Sequence, residues 1–168
     1  TLKPILYVLN KKSGALNFDD QHDERWIALM RFLEETHSEY VIVDAGVEQE
    51  LKDLSEDEKQ EFRREYGSQD SGIGDLIRAC YRLLGLISYF TTGEDETRAW
   101  TVAEGSTAPD AGTAIHTDFK TKFIRASVVS FEDLVASQSM ATAREKGLLR
   151  TEGKQYIVKD GDVIEFKI

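Results

Sequence analysis

Ala108-Pro109-Asp110-Ala111-Gly112-Thr113-Ala114-Ile115-His116-Thr117-Asp118-Phe119 and the closing run Tyr156-Ile157-Val158-Lys159-Asp160-Gly161-Asp162-Val163-Ile164-Glu165-Phe166 decide how this chain is read. Pro109 suits the first turn of a helix, where its missing N–H costs nothing, and the pattern predicts a helix running to about His116. Lys159-Asp160-Gly161-Asp162 stands between two alternating runs and predicts a tight turn joining antiparallel strands. The stretch therefore reads as a short helix inside a small sheet that a hairpin closes.

Its neighbours extend that reading. Arg98-Ala99-Trp100-Thr101-Val102 and Phe123-Ile124-Arg125-Ala126-Ser127-Val128 alternate with period two, as half-buried strands do. Ser130-Phe131-Glu132-Asp133 predicts a helix cap. The first half is patterned differently. Ile5-Leu6-Tyr7-Val8-Leu9 and Tyr40-Val41-Ile42-Val43 are continuous apolar runs, the pattern of parallel strands buried on both faces. Between them Trp26, Leu29, Met30 and Leu33 recur at helical spacing, with Ile27 and Phe32 widening the stripe. Strand, helix, strand in so short a unit predicts a right-handed crossover between parallel strands. Ser55-Glu56-Asp57-Glu58 is a capping box opening an acidic helix that should end near Gly67. A further helix is expected from about Gly74 to Leu86. Its Leu76, Ile77, Cys80, Tyr81, Leu83 and Leu84 cover more than one stripe, which predicts burial on more than one side. The period changes between Gly85 and Gly93, so two domains are expected, residues 1–85 and 86–168.

Composition narrows the function classes. At 40% hydrophobic and 31% charged, the 168 residues can build a real core. Residues 1–85 carry 11 basic against 18 acidic side chains and residues 86–168 carry 10 against 13, so neither half is a basic nucleic-acid glove. The lone Cys80 excludes a disulfide framework and favours a reducing, cytoplasmic setting. His22, His37 and His116 are far apart in sequence, so no spacing suggests a metal cage. No run approaches the roughly 18 apolar residues of a membrane span, and no membrane partner is expected. A chain that starts at Thr1 and enters a strand almost at once reads as a piece of a longer protein or a processed product.

Several strings together resemble a known family. Arg98-Ala99-Trp100-Thr101, Ile115-His116-Thr117-Asp118-Phe119, Phe123-Ile124-Arg125-Ala126, Glu152-Gly153-Lys154 and Tyr156 to Ile164 look like the TGS domain of the YchF (Obg-like) ATPases. Leu2 to Leu84 is similar to the end of the same family's G domain, with Leu83-Leu84-Gly85-Leu86 leading into Tyr89-Phe90-Thr91. The resemblance implies an α/β chain in which an incomplete P-loop NTPase βαβ remnant precedes a β-grasp, ubiquitin-like TGS domain. It further implies ATP (or GTP) with Mg²⁺ as ligand of the intact protein, ATP being preferred, and the ribosome as partner through rRNA or a ribosomal protein.

Phosphate chemistry on such a fold needs a G-x-x-x-x-G-K-[ST] string, and none exists here: Gly153-Lys154 is followed by Gln155. The chain by itself is therefore expected to hold no cofactor and to hydrolyse neither nucleotide. What is left is a base-reading edge. Asn10-Lys11-Lys12-Ser13 falls where GTPases carry N-K-x-D, whose Asp accepts two hydrogen bonds from guanine and whose Lys stem packs on the base. The family usually carries Glu at that last position, and neutral Ser13 removes the bidentate reading of guanine. Asp44-Ala45-Gly46 aligns with the other base-contacting loop, usually Ser-Ala-Lys or Cys-Ala-Lys, and Gly46 departs from its Lys. Asn10, Lys11, Ser13 and Ala45 are accordingly the expected nucleotide contacts, no residue being expected to be catalytic.

In the second half, His116 beside Asp118 invites a catalytic reading, but the two are expected to satisfy backbone groups at a helix end with Phe119 in the core. Arg98, Lys120, Lys122, Arg125, Arg144, Lys146, Arg150 and Lys154 are the cations available for RNA, with Trp100 or Phe123 for stacking. Of these, Lys120, Lys122, Arg125 and Lys154 are the expected RNA or ribosome contacts. Two functions follow: the C-terminal part of a ribosome-associated YchF-like ATPase, or a stand-alone TGS adaptor that binds RNA or protein without hydrolysis. A truncated parallel sheet would also expose an edge, so self-association of the isolated piece is expected.

Overall fold

The computed structural model describes residues 3–12, 14–21, 23–65, 72–93 and 96–168. The chain divides into two compact units, Thr1–Leu84 and Gly85–Ile168.

The first unit is built on a parallel pair, β1 (Leu6–Asn10) and β2 (Glu39–Val43), with Leu6 opposite Glu39 and Asn10 opposite Val43. The crossover helix α1 (Glu24–Glu35) starts where the Asp23 carboxylate accepts the Arg25 N–H, and it buries Leu33. Its Phe32 ring meets Tyr7 edge-on at 6.1 Å. Then come α2 (Ala45–Leu51), α3 (Glu56–Glu65) and α4 (Gly72–Leu83). The expected capping box opens α3: Glu58 Oε2 accepts the Ser55 N–H at 2.8 Å and Ser55 Oγ accepts the Glu58 N–H at 3.4 Å. The Ser55 hydroxyl, then its N–H, hold the Glu58 carboxyl below the usual carboxylate range. Gly67, the expected end of this helix, lies outside the described residues.

Against expectation, α4 is buried on one side only. Ala79 and Leu76 pack on Val41, Val43 and Leu6, whereas Ile73 and Ile77 are 46% and 53% exposed. The reason is the width of the support, since a two-stranded sheet offers a helix one narrow face.

The second unit is a five-stranded mixed sheet. β3 (Leu86–Thr92) and β4 (Thr97–Ala103) pair antiparallel over their whole length. After α5 (Ala108–Gly112) and α6 (Asp118–Lys122) come β5 (Arg125–Ser130), α7 (Phe131–Ser137), α8 (Met140–Glu145), β6 (Arg150–Glu152) and β7 (Asp162–Lys167). The order is β4-β3-β7-β5-β6, with β7 parallel to β3 and antiparallel to β5. Strand alternation feeds two cores. Tyr89, Ala126, Val128 and Ile164 pack with Ala108, Ala111, Phe123 and Val158, while Val129 and Val163 pack with Ala143, Leu134 and Met140. Ser130 caps α7 as its string predicted, its Oγ accepting the Asp133 N–H at 3.1 Å.

Two local expectations fail here. The helix begun by Pro109 stops at Gly112, and α6 is a separate helix. Beyond Gly112 the chain continues only as turns, with Ile115 and His116 N–H donating to Gly112 O, and a Cβ at Gly112 would lie 2.8 Å from the Phe119 Cβ, so the close return of the chain requires glycine there. Nor does Lys159-Asp160-Gly161-Asp162 close a hairpin. The run before it bonds the segment leading into α5, through Ala108 N–H to Tyr156 O at 2.8 Å and Val158 N–H to Ser106 O at 3.0 Å. The turn is held instead by the buried Asp162 carboxylate, which accepts the Lys159 N–H at 2.9 Å. Gly161, at φ +78°, then donates to Ser88 O while Asp160 Oδ1 accepts the Ser88 N–H, delivering β7 beside β3.

Among the described residues no helix is long and apolar enough to cross a membrane, and no group of three or more His, Cys, Asp or Glu could hold a metal ion.

Candidate functional site

The carboxyl ends of parallel strands are where an open α/β sheet presents its binding loops. In the first unit β1 ends at Asn10 and the ladder runs one bond further, from Lys11 N–H to Val43 O at 2.8 Å. β2 ends at Val43, and Asp44 caps α2 by accepting the Gly46 and Val47 N–H groups, each at 3.0 Å. Asn10 joins the two loops: its Oδ1 accepts the Ala45 N–H at 3.1 Å, across 35 residues of sequence. The amide nitrogen of Asn10 is left without a hydrogen-bond partner among the described residues and is free to donate to a ligand.

Lys11 is fixed differently. Its Nζ donates to Asp19 Oδ2 and Asp20 Oδ1, each at 2.9 Å, and Asp19 first, then Asp20, raise its pKa. Asn17 closes the same loop, accepting the Lys12 N–H and donating to the Lys12 and Ala15 carbonyls, all at 3.0 Å. With the ammonium engaged by its own loop, the part of Lys11 left for a ligand is its aliphatic stem. An open, mainly apolar cleft of about 390 Å³ lies alongside, and Asn10, Lys11, Leu16, Phe18, Trp26 and Ile42 are among its walls. Ser13 lies outside the described residues.

In the second unit, the exposed His116 uses Nδ1 to accept the Asp118 N–H at 3.1 Å, replacing the side-chain cap that Thr117 does not supply to α6. Asp118 Oδ1 is 3.9 Å from that nitrogen, and Lys122, 2.6 Å from Asp118 Oδ2, is the main reason the Asp118 carboxyl lies below its usual range. Phe119 is half-buried, its ring 5.7 Å from that of Phe166. The arrangement is a helix start with an acceptor on it. His116→Ala is expected to lower stability by about 0.5–1 kcal/mol, as loss of a capping acceptor does, read as a small drop in thermal midpoint.

The cations gather at one end of the sheet. Arg125 opens β5 opposite Lys167 of β7, and the Ile124 N–H donates to Lys167 O at 2.9 Å. Glu152 faces Ala126, so the antiparallel run of β6 carries Gly153-Lys154 out at the Ile124-Arg125 end. Lys122 closes α6 three residues before Arg125. Lys120 pairs with Asp110 at 2.8 Å, Lys122 with Asp118, and Lys167 with Glu165. Arg125 and Lys154 make no ion pair among the described residues. The proposed stacking rings are less available. Phe123 is 2% exposed, and the half-buried Trp100 lies under the Arg98 guanidinium at 4.4 Å while donating to Thr91 Oγ1 at 2.9 Å.

Residues 86–168 match the family model YchF-GTPase_C, described as a protein of unknown function (DUF933). The chain is 46% identical over 167 residues to the ribosome-binding ATPase YchF of Bacillus subtilis and 42% identical over 167 residues to that of Escherichia coli O157:H7. Either alignment takes in 99% of this chain and 45% of the relative. The solved structure of the Schizosaccharomyces pombe YchF GTPase superposes on 98% of the chain with a TM-score of 0.85 at 29% identity, and 43% of that protein is covered. The chain belongs to the YchF family. It spans less than half the length of the relatives it matches.

Within this YchF chain the structure brings Asn10, Lys11 and Ala45 together, and it brings Lys122, Arg125 and Lys154 to one sheet end with Lys120 nearby on α6. Two features escaped the strings. One is α2 itself, whose N-cap Asp44 the sequence string places only in a loop; Val47 and Leu51 at helical spacing behind Asp44 are the available signal. The other is the set around Asp162, which accepts the Tyr156 hydroxyl at 2.7 Å with Arg150 3.7 Å away. Nothing short in the sequence marks that set.

Proposed function

We propose that the chain is the C-terminal portion of a cytoplasmic, ribosome-associated YchF-type NTPase, in which residues 1–85 end the nucleotide-binding G domain and residues 86–168 form a TGS recognition module. The parallel pair and its crossover helix support a P-loop NTPase remnant. The mixed sheet, with β7 between β3 and β5, supports a β-grasp. Relatives named ribosome-binding ATPases support the ribosome as partner and ATP as ligand, and the relative named a GTPase supports GTP as the alternative. The observation that carries the nucleotide half is the Asn10 Oδ1 to Ala45 N–H bond, which makes one edge of two loops at the carboxyl ends of β1 and β2.

The residues fit the base end of a nucleotide and not its phosphates. Asn10 offers an unused amide donor, Lys11 an apolar stem, and Ala45 an N–H already held by Asn10 on the facing loop; Ser13, by the resemblance, is the remaining base contact. The sequence holds no phosphate-cradling string, so the triphosphate and Mg²⁺ belong to residues outside this chain. Mg²⁺, when bound there, neutralises charge developing on the phosphates. The chain alone then turns over neither ATP nor GTP. In the second unit Lys120, Lys122, Arg125 and Lys154 form the ribosome-facing end. Among the described residues β1 pairs with β2 alone, and the exposed Ile5 just before it and Val8 within it support self-association of the isolated chain.

Nucleotide titration tests this. In a protein extended to include a P-loop, Asn10→Ala is expected to weaken ATP binding by about tenfold, the equivalent of one hydrogen bond to the ligand. The 168-residue chain should show no turnover. Robust hydrolysis by the purified chain, with contaminants excluded, overturns the proposal. Unchanged partner binding with and without nucleotide would favour the stand-alone adaptor.

A further inference from the structure

The second unit leaves one long strand edge open. Among the described residues β4 pairs with β3 alone and is an outer strand of the sheet. The Gly93 N–H donates to Glu96 O at 2.9 Å and the Glu104 N–H to Gly85 O at 2.7 Å, so in the antiparallel ladder between them Arg98, Trp100 and Val102 turn their backbone groups to β3. The residues that alternate with these turn theirs outward. Thr97 and Ala99 present both N–H and C=O there, and Ala103 its N–H, its carbonyl being taken by the Ser106 N–H at 3.1 Å.

Such an edge is a template for another strand unless it is blunted. The opposite edge is blunted by length, β6 having three residues against seven in β4. β4 keeps an unbroken register without a bulge, holds no proline and no lysine, and folds its one charged side chain, Arg98, over the Trp100 ring at 4.4 Å. Exposed acids stand at its two ends instead. Glu96 and Glu104 are about 26 Å apart along the strand, at about 3.3 Å a residue.

We infer that the β4 edge takes up an extended segment of another protein as an added strand, and that this segment carries lysine or arginine at both ends of a run of uncharged residues. The inference goes beyond the ribosome-facing cations, since β3 and β7 separate β4 from Arg125 on β5.

Geometry and charge choose this occupant. A polypeptide offers amide donors and carbonyls at strand spacing, which is what the outward groups of Thr97, Ala99 and Ala103 can bond. Cations spaced as Glu96 and Glu104 are would meet a carboxylate at either end of the new strand. RNA would bring phosphates against the same two carboxylates, where like charges repel. A second copy of the chain meets the same obstacle. Antiparallel pairing of two β4 strands about Trp100 sets Thr97 against Ala103 and, at each end, Glu96 against Glu104, and like charges directly opposite destabilise a strand pair.

Fluorescence anisotropy with the 168-residue chain tests this. The probe is a labelled synthetic peptide alternating threonine with valine and ending in lysines at the spacing of Glu96 and Glu104. Its controls are the same peptide N-methylated along its core, which keeps every side chain and removes the amide donors, the same peptide with glutamate at its ends, and a single-stranded RNA oligonucleotide. The lysine peptide is expected to bind and to slow hydrogen exchange at the Ala99 and Ala103 amides, and the two altered peptides to bind about tenfold more weakly or worse. Ala99→Pro removes an outward N–H and leaves the bonds to β3 in place, so it should weaken the lysine peptide by about tenfold. Glu96→Lys combined with Glu104→Lys should do the same. A thermal melt verifies folding; if the proline variant melts early, the charge-reversed one carries the test.

No binding of the lysine peptide, equal binding of either altered peptide, tighter binding of the RNA, or folded variants with unchanged affinity would each overturn the inference. So would a dimer, read by analytical ultracentrifugation, that Ala99→Pro abolishes, because the edge would then belong to a second copy.

Discussion

Replacing Tyr89 with alanine is expected to unfold the second unit under conditions where the parent chain is folded. The side chain has no solvent exposure, its hydroxyl donates to Ala111 O at 2.9 Å, and its ring meets Phe166 edge-on at 6.0 Å. It thus ties strand β3 to α5 and to the end of the central strand β7. Truncating a buried aromatic to alanine costs about 3–5 kcal/mol, comparable with the whole stability of many small domains. Tyr89→Phe keeps the ring and gives up one buried hydrogen bond, so about 1 kcal/mol should be lost. Urea unfolding followed by tryptophan fluorescence measures both. A Tyr89→Ala protein that unfolds at nearly the parent midpoint would mean the core is organised around something else.

The next largest effect should come from Asp162→Ala. This carboxylate is 3% exposed, accepts the Tyr156 hydroxyl at 2.7 Å and the Lys159 N–H at 2.9 Å, and fixes the turn into β7. Two bonds to a buried charge are worth roughly 3 kcal/mol together, and both donors lose their partner at once. The same variant has a signature in pH. Burial first, then the hydrogen bond and negative charge of Asp162, push the Tyr156 phenol up to about 12 from its usual 10. A phenol raised in the folded state contributes stability that is full below pH 10 and is lost as pH rises through about 12, because the unfolded phenol ionises first. The parent chain should therefore weaken in that alkaline window, and burial of Tyr89, whose phenol is also pushed up, adds to it. In Asp162→Ala the ionisation of Tyr156, followed by its absorbance, should move back toward 10. An unmoved titration would show that burial alone sets it.

What the sequence made legible was whatever has a local period or a local string. The continuous apolar runs marked β1 and β2 as a parallel pair, but not buried on both faces as expected, since Val8, Tyr40 and Ile42 are exposed; alternation marked β4 and β5, and caps at Ser55 and Ser130 marked α3 and α7. The features that needed tertiary information were harder. Gly112 has to be glycine because Phe119 returns against it, and only the folded chain brings the two together. The supposed closing hairpin fails because β7 finds longer partners in β5 and β3. The base edge was readable as two strings, but the Asn10 bond to Ala45 that unites them spans the whole crossover. The clustering of Lys122, Arg125 and Lys154 follows from strand register, which no local pattern of charge announces.

Co-sedimentation of the 168-residue chain with purified ribosomes over a range of salt tests the central claim most directly. The account predicts that the chain pellets with ribosomes at low salt, is released as salt rises, and stays in the supernatant when Arg125→Glu and Lys154→Glu are combined. A chain that remains in the supernatant at low salt, or whose doubly substituted form pellets as the parent does, would contradict it.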